Sequence, residues 1–320
     1  MDTAHSNRRR LFWIVNLVAF AAIFSWLRGH ISVTDVVNEL LKMPVKVLLG
    51  VLIINLAVVA VYGDRLSLLL AARRQAALGV VIIGLGMNGV LPFRLGEGVK
   101  LAYAKQIFNI PTSRLFAAAA LEKLMDLCAL LLLSIVVSQF IVVPFLNQGI
   151  LIAALLVGAL CLAGLFALLA RYHWERSGRK MNTWIVSVFE TFLSQNGKVR
   201  VLQLVSQTAV IWALTVTSIF WFFSSVLPVF SILDACVLTL ILALAIAVPS
   251  APAGLGIVEA AVVAYLHQSL LLELNKALAS ALAFHFIVVV PQILMTSIIL
   301  LGSMFHRRRL TTNFMIPLLL

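Results

Sequence analysis

Six stretches of this chain, at 11–27, 46–62, 115–140, 149–170, 201–226 and 280–305, are almost wholly apolar. Each matches the length a helix needs to cross the hydrocarbon core of a bilayer, roughly 17–25 residues. That core holds no water for backbone amides to bond, so each run is expected to satisfy its own hydrogen bonds as an α-helix. Composition agrees: 62% of the 320 residues are hydrophobic and 11% charged, against roughly 25% charged in a soluble domain. The expected fold class is all-α, a polytopic integral membrane bundle of roughly six to eight spans. The connections leave no room for a soluble catalytic domain.

Net charge is +12. In a soluble protein such an excess points to nucleic acid, but here the basic residues cluster between apolar runs, where membrane topology accounts for them and no nucleic-acid partner is expected. Cys128, Cys161 and Cys236 lie inside apolar segments without CxxC spacing and read as buried packing residues rather than disulfides or metal ligands. The N-terminal "NRRRLFWIVNLVAFAAIFSWLRGH" has the basic flank and apolar run of a signal peptide, but no small-x-small cleavage site follows it. It reads as an uncleaved first span with its N-terminus in the cytoplasm.

Basic clusters predict the threading. Arg8–Arg10, then Arg65, Arg73 and Arg74, then the group from Arg171 to Arg200, and finally Arg307–Arg309 should all be cytoplasmic. If 76–93 crossed fully, Arg94, Lys100, Lys105 and Arg114 would fall outside together with the basic stretch 171–200. If it enters and returns, every cluster falls on one side, so 76–93 is expected to be re-entrant. The stretch 234–272 is either two spans or two half-helices; both give a cytoplasmic C-terminus. Residues 28–45 and 171–200 mix charge with apolar side chains and read as interfacial helices or loops.

The two interrupted segments resemble one another. One reads Pro92, Phe93, Arg94, Leu95, Gly96, Glu97; the other reads Pro252, Ala253, Gly254, Leu255, Gly256, Ile257, Val258, Glu259. Matching Gly/Pro interruptions in two halves point to a transporter built from internal repeats, here halves of about 1–143 and 149–309 within a single 1–320 domain. Coincidence is the rival reading. "GLGMNG", Gly84 to Gly89, fits GxGxxG but lacks the acidic residue that a dinucleotide site requires about 20 positions on; its glycines are read as permitting close helix packing or an unwound turn.

The charged residues of these segments are the candidate site. Arg94, Glu97 and Lys100 follow the break at Pro92, and either sit in a solvated loop or line a polar cavity, the one setting that tolerates irregular backbone at membrane depth. Glu122, Lys123 and Asp126 interrupt an apolar helix. Glu122 and Asp126 share a face and Lys123 can pair with Asp126, an arrangement expected to face inward because a charge at the centre of a span costs roughly 2.5–3.5 kcal/mol; the rival reading starts the helix near Leu121 and leaves the three at the interface. Past Pro252, Gly254 and Gly256, a helix start offers unpaired N–H groups to a phosphate or carboxylate. Glu259 either caps that start or is a protonatable group. His285 reads first as a structural histidine beside Gln292 and Pro291, and with Arg65 it is a secondary candidate. No metal-spaced cluster and no cofactor motif is visible.

"NGVLPFRLGEGVK", "EKLMD" and "PSAPAGLGIVE", in this order across about 11–305, resemble the lysylphosphatidylglycerol synthase transmembrane family, a flippase-like group. The resemblance implies an inner-membrane domain that moves a phospholipid across the bilayer, in two-domain members after a cytoplasmic domain has aminoacylated it; this chain is similar to the stand-alone members. It implies site roles for Pro92, Arg94, Gly96 and Glu97, for Glu122 and Asp126, and for Pro252, Gly254, Gly256 and Glu259. Lys123 and His285 stand where that family more often has arginine, and Ala253 where it has glycine. The expected function is translocation of an anionic phospholipid or polyprenyl-phosphate lipid in the cytoplasmic membrane of a bacterium, with no cofactor. The partners are that lipid and an envelope glycosyltransferase or aminoacyltransferase. The rivals are an intramembrane transferase and a non-catalytic partner of an envelope enzyme.

Overall fold

A computed structural model describes residues 41–140, 197–248 and 250–307, with isolated positions at 34, 37, 38 and 156. The expected spans 11–27 and 149–170, nearly all of 28–40, residues 171–196, Cys161 and both chain ends lie outside the described residues.

Eight α-helices form among them: α1 Val45–Leu70, α2 Arg74–Val90, α3 Gly96–Phe108, α4 Thr112–Ser138, α5 Gly197–Val226, α6 Ile232–Ala247, α7 Ile257–Val263 and α8 Leu274–Arg307. A π-helical turn, Ala264–Ser269, continues α7. Local sequence sets the limits. Pro44 and Pro111 stand just before α1 and α4, where a missing N–H costs nothing. Ala71 ends α1 in the left-handed region at φ 51°, its N–H and that of Ala72 closing on the carbonyls of Leu68 and Ser67. Ser231 and Asp234 form a reciprocal cap on α6: Ser231 N–H donates to Asp234 Oδ2 (2.7 Å), and Asp234 N–H to Ser231 Oγ (3.2 Å).

Three described helices are long and apolar enough to cross a membrane: α1, Val199–Val226 within α5, and Leu274–Ser303 within α8. Their polarity is inside out. Val45, Leu49, Ile53 and Leu56 of α1 are exposed, as are Phe286, Val290, Leu294, Ile298 and Leu301 of α8, stripes at helical spacing that suit an apolar environment. On α4, exposed Leu124, Leu132, Ile135 and Val136 lie opposite the inward Leu115, Ala118, Glu122 and Leu130. Cys128 belongs to that outward stripe, so the expectation that it is buried is corrected: an apolar residue of a membrane helix has lipid as well as core to pack against. Cys236 is half-buried, and both thiols are free.

The interior is filled by α1 along α5 and by α2 held between α1, α3 and α8. Phe222, Phe223 and Phe284 join α5 to α8 with ring centroids 5.0–5.4 Å apart. The "GLGMNG" glycines are packing residues of α2. A Cβ on Gly86 would lie 2.1 Å from Thr296 Oγ1 and 2.5 Å from the Gln292 carbonyl, while Gly84 is covered by Lys100 and Gly89 by Ile293.

The two interrupted segments form helical hairpins. With 17 and 16 residues, α2 and α6 reach about 25 Å at 1.5 Å per residue, short of a bilayer core of roughly 30 Å. Each then turns through a single 3-10 turn, Pro92–Arg94 or Pro252–Gly254. In the first hairpin α3 folds back along α2, with Gly96 so close to Gly84 and Asn88 that a Cβ would lie 2.4 Å from their backbone atoms. The chain returns to the end it entered from, as the charge distribution predicts. In the second, α7 folds back against α6, and since both are short, half-helices describe 234–272 better than two spans.

Candidate functional site

Polar side chains inside the bundle gather at two places. At the first, α1, α3 and α4 bring three cations and three carboxylates together. Arg65 of α1 grips Asp126 of α4 with both guanidinium nitrogens, Nη1 to Oδ1 at 2.7 Å and Nη2 to Oδ2 at 3.1 Å. Lys100 of α3 donates to Glu122 Oε2 at 2.6 Å, and Lys123 of α4 to Glu97 Oε1 at 2.9 Å. The pairs differ in depth: the Arg65 and Glu122 side chains are 1% and 3% exposed, whereas Lys123 is 40% exposed. Thr208 of α5 accepts a bond from Arg65 Nη1 at 3.1 Å, and the guanidinium carbon lies 5.0 Å from the Tyr62 ring centroid, a cation–π contact. Two buried atoms of the cluster, Arg65 Nε and Glu122 Oε1, have no hydrogen-bond partner among the described residues.

The sequence reading of this cluster needs two corrections. Lys123 does not pair with Asp126, because the Arg65 fork makes two parallel bonds to that carboxylate where an ammonium offers one, and Lys123 turns to Glu97. Arg65 is not in a cytoplasmic basic loop: α1 runs on to Leu70 and carries it into the core, where it is the largest fully buried side chain among the described residues. Arg73 and Arg74 do mark the α1–α2 connection, where Arg74 pairs with Asp64 at the surface. Thr208 and Tyr62 were not legible as site residues. The one signal for Arg65 was its position at the margin of an apolar run with an intramembrane carboxylate left to neutralise.

The second place is where the breaks meet. Phe93 N–H donates to the Ser250 carbonyl at 2.9 Å, and Arg94 Nη1 to the Ile246 carbonyl at 3.3 Å. Both breaks place two consecutive residues in the left-handed region, Phe93 and Arg94 at φ 56°, Ala253 at φ 58° and Gly254 at φ 80°. Such backbone costs on the order of 1–3 kcal/mol at each non-glycine position and persists only where its surroundings enforce it. Pro92 and Gly96 are buried, while Arg94 stands exposed at the tip, outside the ion-pair cluster.

Glu259 settles into the second break with both oxygens engaged. Oε2 accepts the Gly256 N–H at 2.7 Å, and Oε1 meets His285 Nδ1 of α8 at 2.5 Å. His285 Nε2 lies 3.1 Å from the Ala253 carbonyl. The helix start past Pro252, Gly254 and Gly256 is thus occupied by the chain's own carboxylate. His285 is 7% exposed and Glu259 5%.

Of the residues expected around an enclosed polar cavity, Glu97, Glu122 and Asp126 stand in ion pairs, and Arg94 bonds the Ile246 carbonyl instead. An open apolar groove of about 450 Å³ lies elsewhere, against α1 and α8, lined by residues including Met43, Leu48, Phe286, Ile287, Val290 and Pro291. Among the described residues no three His, Cys, Asp or Glu side chains are grouped to hold a metal ion.

A family model described as lysylphosphatidylglycerol synthase TM region matches residues 13–295 of the chain. No curated protein and no solved structure matches it.

Proposed function

Since the chain belongs to the lysylphosphatidylglycerol synthase transmembrane family, with which it matches over 13–295, we propose that it translocates an anionic lipid, a phospholipid or a polyprenyl-phosphate-linked lipid. The observation that carries this reading is the six-charge cluster between α1, α3 and α4. Charges within membrane helices are costly and are retained chiefly along substrate or ion pathways. Here they cancel pairwise, so the empty site is neutral overall.

A lipid phosphate can exchange with a carboxylate on Arg65, Lys100 or Lys123 when the displaced carboxylate takes up a proton, so that neither a cation nor an anion is left unpaired. The planar fork of Arg65 suits a phosphate in two-point contact, and its unbonded Nε supplies a further donor. Arg94, exposed at the tip of the first break, is the cation a headgroup meets before Glu97, Lys100, Glu122, Lys123 and Asp126. Gly256 serves the second break through Glu259 rather than by holding phosphate. The protein acts as a transporter rather than an enzyme, in the cytoplasmic membrane of a bacterium with both termini cytoplasmic. Arg73, Arg74, Lys105 and Arg114 support that orientation, for they gather at the open end of the first hairpin. An envelope glycosyltransferase or aminoacyltransferase that loads the lipid is the partner enzyme.

Reconstitution tests this. Wild type in vesicles carrying fluorescent phosphatidylglycerol or a fluorescent polyprenyl phosphate should speed lipid crossing, and an Arg94→Ala/Glu122→Gln double variant should slow it at least roughly tenfold, about 1.4 kcal/mol of lost stabilisation. Equal crossing by wild type and the folded double variant rules the mechanism out.

A further inference from the structure

Hydrogen-bond arithmetic at the second break leads beyond headgroup binding. A carbonyl oxygen only accepts, so the contact between His285 Nε2 and the Ala253 carbonyl requires a proton on Nε2. A backbone N–H only donates, so Glu259 Oε2 accepts from Gly256 N, and with no acceptor among the described residues to take a hydroxyl proton from it, this oxygen is assigned as unprotonated. The remaining contact, His285 Nδ1 to Glu259 Oε1 at 2.5 Å, then has room for one proton and no other number. With none, two lone pairs face each other; with two, two donors do. One shared proton leaves the pair neutral overall, whichever atom holds it. Giving it up places a net negative charge on a group that is 5% exposed, which is costly without a partner.

We propose that Glu259 and His285 form a single-proton binding site that latches the second break, and that taking up or giving up one proton opens the latch. The geometry links the proton to the fold directly. The carboxylate holds Gly256 and the imidazole holds Ala253, so the pair clamps both ends of 253–256 to α8. On deprotonation, the proton leaves Nδ1 or Oε1 for water, the two acceptors repel, and the clamp on Gly256 and Ala253 parts. Because Ser250 of this segment accepts from Phe93, movement there reaches the tip of the first hairpin and Arg94.

Titratable groups on the neighbouring elements are engaged elsewhere or make no bond to this pair. On α2, Arg74 pairs with Asp64 of α1; on α1, Arg65 pairs with Asp126 and stacks on Tyr62, and Lys46 lies at its start. In the first break, Arg94 bonds the Ile246 carbonyl. On α6, Asp234 takes the Tyr265 hydroxyl, and Cys236 is half-buried. His267 Nδ1 meets the Leu272 carbonyl. Arg200 stands near the start of α5, Glu273 just before α8 and Lys276 in its first turn.

Hydrogen exchange on the full chain in phosphatidylglycerol nanodiscs, followed across about pH 5 to 8 where histidine charge ordinarily changes, reads the latch without reference to transport. After correction for intrinsic exchange, backbone protection over 251–260 in wild type should vary with pH by roughly tenfold or more, as fits the loss of one charge-assisted hydrogen bond. Glu259→Gln provides a permanent N–H towards Nδ1 and an oxygen towards Gly256, so its protection should stay high and independent of pH. His285→Ala should be unprotected throughout. A flat wild-type profile, or the wild-type profile reproduced in folded Glu259→Gln, overturns the proposal. Should both variants misfold, ring-15N and carboxyl-13C spectra of wild type decide: the His285 ring or the Glu259 carboxyl must change protonation in step with the protection, and a pair in which both stay unchanged overturns it too.

The link to lipid movement rests on the proposed function. In vesicles with fluorescent phosphatidylglycerol, an imposed pH difference should alter wild-type crossing, and Glu259→Gln should be at least roughly tenfold slower at every pH, as a latch held shut requires. Crossing by wild type that ignores the pH difference overturns the coupling. If wild type moves no lipid, the transport reading fails, while the exchange profile still decides the latch.

Discussion

Arg65 carries the heaviest energetic obligation of any single residue described here. Its guanidinium is 1% exposed and meets both oxygens of Asp126, so removing either partner strands a buried charge. Arg65→Leu or Asp126→Leu alone should lower stability by about 3–5 kcal/mol, whereas the double variant should recover most of that loss, since well-packed apolar residues can replace a buried pair. Thermal unfolding in detergent measures all three. Lys123 offers the contrast. With Lys123 40% and Glu97 31% exposed this pair is less enclosed, and Lys123→Ala should cost less than either single substitution at Arg65 and Asp126. The types and spacing of these charges were legible in the sequence, and so was the shared inward face of Glu122 and Asp126. Their partners were not, because an i,i+3 neighbour competes with cations from other helices whose positions only packing fixes.

Glycine placement governs how the elements meet. Gly86 touches α8 so closely that a Cβ would overlap Thr296 Oγ1, a side chain that itself donates to the Ile82 carbonyl of α2 at 2.7 Å. Gly86→Ala should therefore destabilise the protein by about 1–3 kcal/mol through overpacking. Gly79, on the same helix, has nothing within 4 Å of its would-be Cβ, and Gly79→Ala should stabilise by about 0.5–1 kcal/mol from helix propensity alone. Unfolding midpoints of the two variants, moving in opposite directions, check the argument. Both breaks were visible as prolines followed by Leu-Gly. That they adopt the same pair of left-handed residues and bond to each other was not, since Phe93, Arg94 and Ala253 carry no local preference for positive φ.

For the molecule as a whole, the lipid-facing surface sets the limits of tolerance. Leu294 lies on the exposed stripe of α8 well inside Leu274–Ser303, whereas Leu301 is near its end. Leu294→Lys should reduce insertion by about 2.5–3.5 kcal/mol if it reaches the centre of the bilayer, and Leu301→Lys should be tolerated because its ammonium can extend to the interface. The fraction of each variant retained in membranes after an alkaline wash distinguishes them.

By itself the sequence determined that this chain lives in a bilayer, that its helices would be interrupted at Pro92 and Pro252, and that charges would be drawn inside, because long apolar runs, proline and intramembrane carboxylates each act through the local chain and its solvent. Tertiary structure alone decided which charge neutralises which, that the two breaks touch, and that His285 closes on Glu259. Those contacts join residues from 22 positions apart (Lys100 and Glu122) to 157 apart (Phe93 and Ser250), and no local preference selects a partner across such distances; the packing of eight described helices does.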